Sequence, residues 1–227
     1  MSFLPGMFPA GAIAAAAPVV PPELTFVGYS EDGVQRTTYT FNTVSIGAAD
    51  VTRRVVVVAH WRASLVRRTM SAATINGISI LPANVSVSAA NIDRGDISIF
   101  SLLVPTGTTA NFSFTLNAAA DDFSMGVFRA INESSASPHD TMTDTTPASN
   151  VLTGTLDIPA NGWVVAGGNG STATVTWAGA TERYDDTIGN AGVAASGASD
   201  DLLAAEANKT VSMNTASTGC LAAMSWG

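Results

Sequence analysis

Between positions 111 and 117 the chain reads Asn-Phe-Ser-Phe-Thr-Leu-Asn, an alternation that a pleated strand sorts into one apolar and one polar face. Phe112, Phe114 and Leu116 would then face a core, and Ser113 and Thr115 the solvent. A helix would scatter the same side chains around its axis. The period of two recurs in Thr38-Tyr39-Thr40-Phe41-Asn42 and over 172–177, with threonine on the outward positions, where a β-branched side chain that tolerates water belongs. Two runs, 55–61 and 97–104, are apolar at nearly every position and predict central strands buried on both faces. Shorter candidates at 24–29, 74–81, 123–131, 151–158, 163–166, 211–214 and 220–226 bring the expectation to about ten to thirteen strands.

The connections carry turn chemistry. Ile75-Asn76-Gly77-Ile78 predicts a type I′ hairpin, because both central residues of that turn need positive φ and Asn-Gly adopts it cheaply. Gly167-Gly168-Asn169-Gly170 lacks the lysine and helix that follow a phosphate-binding loop and reads as a turn. Helix signals are thin; only 199–207, with Ser199 as a cap, predicts a short one. The Ser/Thr/Asp/Pro-rich stretch 132–150 reads as a long loop or a boundary, and no self-similarity at a fixed period is visible. The fold class expected is all-β: a two-sheet antiparallel sandwich, jelly-roll or lectin-like, formed by residues 23–227 as a single domain.

Residues 1–22 stand apart. The first charged side chain is Glu23, and the apolar stretch before it is punctuated by Pro5, Pro9, Pro18, Pro21 and Pro22. Five prolines deny it a regular helix or a central strand, yet Phe3, Leu4, Met7, Phe8, Ile13, Val19 and Val20 need cover. The segment therefore reads as an extended arm that docks on another surface, with a loose alanine-rich terminus as the plainer alternative. No Lys or Arg precedes Arg36, so a secretory leader is not expected, and the prolines argue against a membrane span.

Hydrophobic residues make up 46% of the chain and charged residues only 12%, about half the usual charged share. A surface so poor in charge suits a protein partly covered by neighbours. The net charge of −8 belongs to the second part, where residues 132–227 hold ten acids against Arg183 and Lys209. Nucleic-acid binding is not expected of an acidic chain with a single lysine. Arg53, Arg54, Arg62, Arg67 and Arg68 fall in a stretch with no acid and form a candidate basic interface patch, unless they pair within the domain or sit solvated at strand ends. The single cysteine, Cys220, excludes an intramolecular disulfide and reads as a small core residue.

Catalytic constellations are weak. His60 lies inside the most apolar strand and reads as a hydrogen-bonded core residue; Ser137, His139 and Asp140 are loop neighbours and do not make a triad. Asp121-Asp122, Asp185-Asp186 and Asp200-Asp201 are adjacent acids that a strand would point to opposite faces, and Asp185 with Asp186 could at most belong to a loop calcium site. Arg94-Gly95-Asp96 reads as a turn that starts a strand. No cofactor is expected. For a carbohydrate-binding face, Tyr184, between Arg183 and Asp185, is the aromatic expected to be exposed, whereas Trp177 and Trp226 belong to core patterns.

Several stretches carry a resemblance: the opening Met-Ser-Phe-Leu-Pro-Gly-Met-Phe-Pro-Ala-Gly, Arg53-Arg54-Val55-Val56-Val57-Val58-Ala59-His60-Trp61-Arg62, Thr74-Ile75-Asn76-Gly77, and the ending Ala222-Ala223-Met224-Ser225-Trp226-Gly227. Together they resemble small virion structural proteins of alphaproteobacterial tailed phages and gene transfer agents. The resemblance implies a β-sandwich used as a head decoration, spike, fibre or tail component, non-enzymatic, in contact with other virion proteins and with copies of itself. It implies residence in the virion, assembly in the bacterial cytoplasm, and as an alternative the recognition of host-surface glycans.

Overall fold

The computed structural model describes residues 20–64, 66–89, 95–145, 150–171, 174–188, 193–215 and 218–227. Among them strands dominate, numbered β1 to β17 along the chain, and every pairing is antiparallel. The inner N-terminal sheet has the order β1 (Glu23–Asp32), β9 (Asp122–Ile131), β3 (Arg54–Arg62), β7 (Asp96–Leu103), β6 (Val85–Ser88). The outer N-terminal sheet is β2 (Arg36–Ser45), β8 (Thr109–Ala120), β4 (Met70–Ile75), β5 (Ile78–Ser79). The inner C-terminal sheet runs β10 (Asp140–Asp144), β17 (Gly219–Trp226), β12 (Gly162–Gly170), β15 (Val193–Leu203), β14 (Thr181–Ile188). The outer C-terminal sheet is β11 (Val151–Ile158), β16 (Glu206–Asn214), β13 (Thr176–Ala178).

The sandwich is thus present twice over. Three hydrophobic cores separate four layers. The first, with Phe100, Phe112, Phe114 and Phe123, fills the space between the two N-terminal sheets. The third, with Leu152, Val164, Val211 and Met213, lies between the two C-terminal sheets. The second, with Val56, Val58, Ile97, Phe128, Trp163, Val165 and Met224, glues the two inner sheets face to face. The central strand β3 accordingly sends Val55, Val57 and Ala59 into one core and Val56 and Val58 into the next, which is why its sequence is apolar at consecutive positions.

The two halves follow one topology. Replacing β1, β9, β3, β7 and β6 by β10, β17, β12, β15 and β14 converts one inner sheet into the other, and β2, β8 and β4 likewise become β11, β16 and β13. Across the seam β3 lies against β12, β6 against β10 and β17, and β14 against β1 and β9, contacts that exchanging the halves maps onto one another, whereas β7 against β12 and β17 and β1 against β15 have no equally close counterpart, so the symmetry is approximate. The molecule is a tandem repeat folded about a pseudo-two-fold axis. No fixed period betrays it, because the loops differ in length and the matched strands differ in bulk.

Three expectations are met in detail. Phe112, Phe114 and Leu116 are buried. Asn76 (φ 50°) and Gly77 (φ 79°) form the hairpin turn between β4 and β5. Cys220 is fully buried. Two are corrected. Residues 199–207 are not helical: β15 ends at Leu203, Ala204 and Ala205 turn the chain, and β16 starts at Glu206. Gly167-Gly168-Asn169-Gly170 is no turn but the second part of β12, a central strand squeezed from both faces. A Cβ on Gly167 would lie 2.3 Å from Val58 Cγ1, and one on Gly168 2.1 Å from Met213 Sδ. Glycine lets the neighbouring layers approach the strand backbone.

Candidate functional site

The chain emerges where the N-terminal segment meets the body. Phe3, Leu4, Met7, Phe8, Ile13 and Val19 lie outside the described residues, while Val20 is 61% exposed. The carbonyl of Pro21 accepts a hydrogen bond from Asn132 Nδ2 at 3.3 Å, and the Asn132 amide is held in turn by Thr52 Oγ1 at 3.0 Å. The root of the segment is therefore pinned to the start of the connection between the repeats.

A cleft of about 650 Å³ opens at that point. Its apolar lining includes Val20, Pro21, Pro22, Pro138 and Pro159, its polar lining Ser137, His139 and Asn161, and Trp226 with Gly227 completes it. Hydrogen bonds hold this end in place. The Trp226 indole N–H donates to the Ser135 carbonyl at 2.9 Å, the Ser134 hydroxyl donates to the Gly227 carbonyl, and the His139 amide donates to the Ser225 carbonyl at 2.8 Å. Trp226 stacks on Trp163 with centroids 5.2 Å apart and carries the Arg54 guanidinium 5.5 Å above its ring. Glu133 sits beside Arg54, and burial lifts its carboxyl to about 7.

The five arginines do not form one patch. Arg53 precedes β3, Arg54 starts it and Arg62 ends it, the last two eight steps and about 26 Å apart at the usual strand rise. Arg53 is fully buried and donates to the carbonyls of Val104 (2.7 Å), Gly47 (2.8 Å) and Thr106 (2.7 Å), so it clamps loops instead of presenting charge. At the other end Arg62 lies 3.7 Å from Asp121 and 3.9 Å from Asp122, Arg67 lies 3.6 Å from Asp96, and Arg68 donates to the Ala119 carbonyl at 2.8 Å. The acids that neutralise this group come from strands distant in sequence, which a count along the chain does not reveal.

Tyr184 is buried, at 8% exposure, contrary to the expectation from its charged neighbours. Tyr184 and Ile188 are the buried residues of β14, and the strand's pairing with β15 is irregular between Glu182 and Tyr184, so burial here is set by the layers packed on the ring and not by a simple alternation. Its ring packs on Phe26 and Tyr29, with centroids 5.5 and 5.0 Å away. Its hydroxyl donates to His60 Nε2 at 2.8 Å, and His60 Nδ1–H donates to Asn169 Oδ1 at 2.7 Å. Asn169 Nδ2 donates to the Asp96 carbonyl at 3.1 Å, which fixes the amide orientation and with it the Nδ1–H tautomer. Desolvation lowers the His60 pKa to about 4 and raises that of Tyr184 well above its usual value. His60 is the hydrogen-bonded core residue that the sequence suggested.

The paired acids serve the backbone. Asp121 accepts from the Ser64 amide at 2.7 Å, Asp140 from the amides of Thr141 (2.7 Å) and Asp157 (2.8 Å), Asp185 from Val175 (2.9 Å) and Asp186 from Thr187 (2.8 Å). Among the described residues no three His, Cys, Asp or Glu side chains converge as metal ligands. The outward faces of the stack are rich in Thr, Ser and Asn. Thr38 and Thr40 lie opposite Thr115 and Ser113 on one, and Thr153 lies opposite Ser212 on the other. Arg36 is the one charged residue in the four strands of the outer N-terminal sheet. That arrangement, with charges gathered at strand ends and edges, is how a folded chain manages so few of them.

No family model matches the chain, and no curated protein matches it.

Proposed function

We propose that the protein is a non-enzymatic structural component of a phage-like particle, held to neighbouring subunits by residues 1–22. The observation that carries this reading is the root of that segment: Pro21 is pinned to Asn132, and Val20, 61% exposed, lies beside it at the cleft. An apolar, proline-interrupted stretch tethered at a fixed point is suited to reaching a second surface. The four-layer body supplies a block whose outer N-terminal sheet presents a nearly uncharged hydroxyl and amide face, which an adjoining subunit can cover without stranding charge. We read the alternation of strands between the sheets of each half as that of a jelly roll. The partners are other virion proteins and copies of this chain, and the place is the virion.

The glycan-binding alternative loses its named contact with the burial of Tyr184 and is not carried further. Deletion of residues 2–19, which spares the Pro21–Asn132 bond, tests the proposal. The truncated chain should fold with an unchanged melting temperature and fail to enter particles; normal incorporation would overturn the assignment.

A further inference from the structure

The two outer sheets share a topology, yet their edges differ. In the C-terminal half the outward amides of the edge strand β11 are occupied: Thr153 N–H donates to Asp144 and Asp157 N–H to Asp140, both carboxylates of β10, each at 2.8 Å. The same place in the N-terminal half belongs to β2. The Asn76 amide donates to the Asn111 carbonyl, which sets the phase of the β4–β8 ladder: Ser113 and Thr115 turn their backbone groups to β4, Phe112 and Phe114 theirs to β2. Phe41 and Tyr39 face these last two, so the backbone groups of Thr38, Thr40 and Asn42 point off the edge of the sheet. Among the described residues nothing pairs with the amides of Thr38 and Thr40. From Thr37 to Ser45 the strand holds no charge and no proline, two common guards of an open edge.

We infer that β2 pairs antiparallel with β2 of a second copy, about a two-fold axis at Thr40, and so joins two outer N-terminal sheets into one. The pairing rests on the reading of the chain as an assembling subunit and gives the contact between copies a surface. The strand itself selects a second copy. Identical strands match donor to acceptor when the axis passes through a residue whose groups point outward, and Thr40 is the middle one of three. In that register Thr40 meets Thr40 and Thr38 meets Asn42, about six hydrogen bonds in all, and Arg36 falls near Val44 instead of a second arginine. The bulge at Thr43, with φ 54°, closes the tract after Asn42. The joined sheet keeps one continuous hydroxyl and amide face, with no charge buried where the copies meet.

Analytical ultracentrifugation of the purified full chain should show a monomer–dimer equilibrium. Thr40→Pro removes an amide that β8 does not use, so it should leave the melting temperature unchanged and weaken the dimer about tenfold or more. Thr155→Pro, at an outward position of β11, should leave the dimer as it is. Register is read by cysteine linkage, since Cys220 is buried. Thr40→Cys should give a disulfide-linked homodimer on mild oxidation, because facing Cα atoms in such a pair lie about 5.5 Å apart, and Thr38→Cys, displaced from its own copy across the axis, should give about tenfold less. A monomer at every concentration, a dimer that Thr40→Pro does not move, or equal linkage at 38 and 40 would overturn the inference. So would a dimer that disappears when residues 2–19 are deleted, which would make that segment the occupant of the edge. Particle incorporation of the truncation is scored apart: if it is lost while the full chain stays monomeric, the functional proposal stands and only the β2 contact fails. If the dimer forms as described and the truncation still incorporates, the contact is real and the proposed role of the segment fails.

Discussion

His60 and Asn169 meet across the two repeats, imidazole Nδ1–H to amide Oδ1 at 2.7 Å, beside the Tyr184 hydroxyl in the largely apolar seam between the inner sheets. Each lies on the middle strand of its sheet, β3 and β12. An apolar interface tolerates sliding, whereas a bond that must be made or left unsatisfied in a dry core fixes one register. Asn169→Ala strands the His60 N–H and the Asp96 carbonyl together, at about 1–3 kcal/mol for each buried group left unpaired. Urea unfolding should show that loss. A midpoint equal to wild type would mean the bond contributes nothing to holding the halves in place.

The same histidine gives the stability a pH dependence of known sign. Its pKa is about 4 in the folded chain and near 6.5 when unfolded. As pH falls from about 6.5 to about 4, the unfolded chain takes up a proton that the native state refuses. The contribution is complete above that window and lost through it, about 3 kcal/mol in all. Burial acts oppositely on acids: Asp96 is raised to about 6 and Asp122 to about 7, so their share is present at low pH and disappears as pH rises through those values. The two trends overlap in wild type. The difference between wild type and His60→Gln removes the acids common to both, and this gap should shrink by about 3 kcal/mol between pH 7.5 and pH 4. A constant gap would show that the histidine titrates normally.

Tyr184 is clamped between glycines of two layers. A Cβ at Gly126, on β9, would come within 2.3 Å of its ring, and one at Gly197, on β15, equally so. Gly126→Ala should cost about 1–3 kcal/mol by overpacking, because the ring already lies against Phe26 and Tyr29. Combining it with Tyr184→Leu, which shortens the side chain, should give a total loss smaller than the two single losses added, with a coupling above about 0.5 kcal/mol. Strict additivity in the double-mutant cycle would refute the clamp.

What the sequence disclosed was local, and what it hid was the layering. The Phe112-Ser113-Phe114-Thr115 alternation and the Asn76-Gly77 turn are set by backbone geometry within a few residues, so both could be read directly. The glycines of β12 were misread because the signal for a turn and for a squeezed central strand is the same residue; only Val58 and Met213, from other sheets, tell them apart. Tyr184 was not legible: residues 182–186 are Glu-Arg-Tyr-Asp-Asp, with no apolar partner at the alternate positions, and the cover comes from Phe26 and Tyr29 far away in sequence. The repeat was not legible. β3 is Arg-Val-Val-Val-Val-Ala-His-Trp-Arg and β12 is Gly-Trp-Val-Val-Ala-Gly-Gly-Asn-Gly, equivalent in place yet opposite in bulk, since across the seam one strand yields the space the other fills. Of the candidate site, the arm was visible in composition, whereas the cleft joins residues 20–22, 132–139, 159–161 and 226–227, which nothing in the sequence connects.

Because the halves share a topology and bury one face against each other, neither should be content alone. A chain ending at residue 135 would bare Val56, Val58, Ile97, Ile99 and Phe128, and one starting at residue 136 would bare Trp163, Val165, Ala222 and Met224, all fully buried in the intact molecule. Exposed apolar faces of that kind drive association. Expressed separately, each half should aggregate or dimerise through the bared sheet; co-expressed with a tag on one, the two should copurify in a one-to-one complex the size of the whole protein. The complex should weaken when Val58→Asp puts a charge opposite Gly167, which the pseudo-two-fold seam places directly against it. Two separately monomeric, soluble halves with no affinity for each other would show that the seam is incidental packing and not the joint that makes the repeats one body.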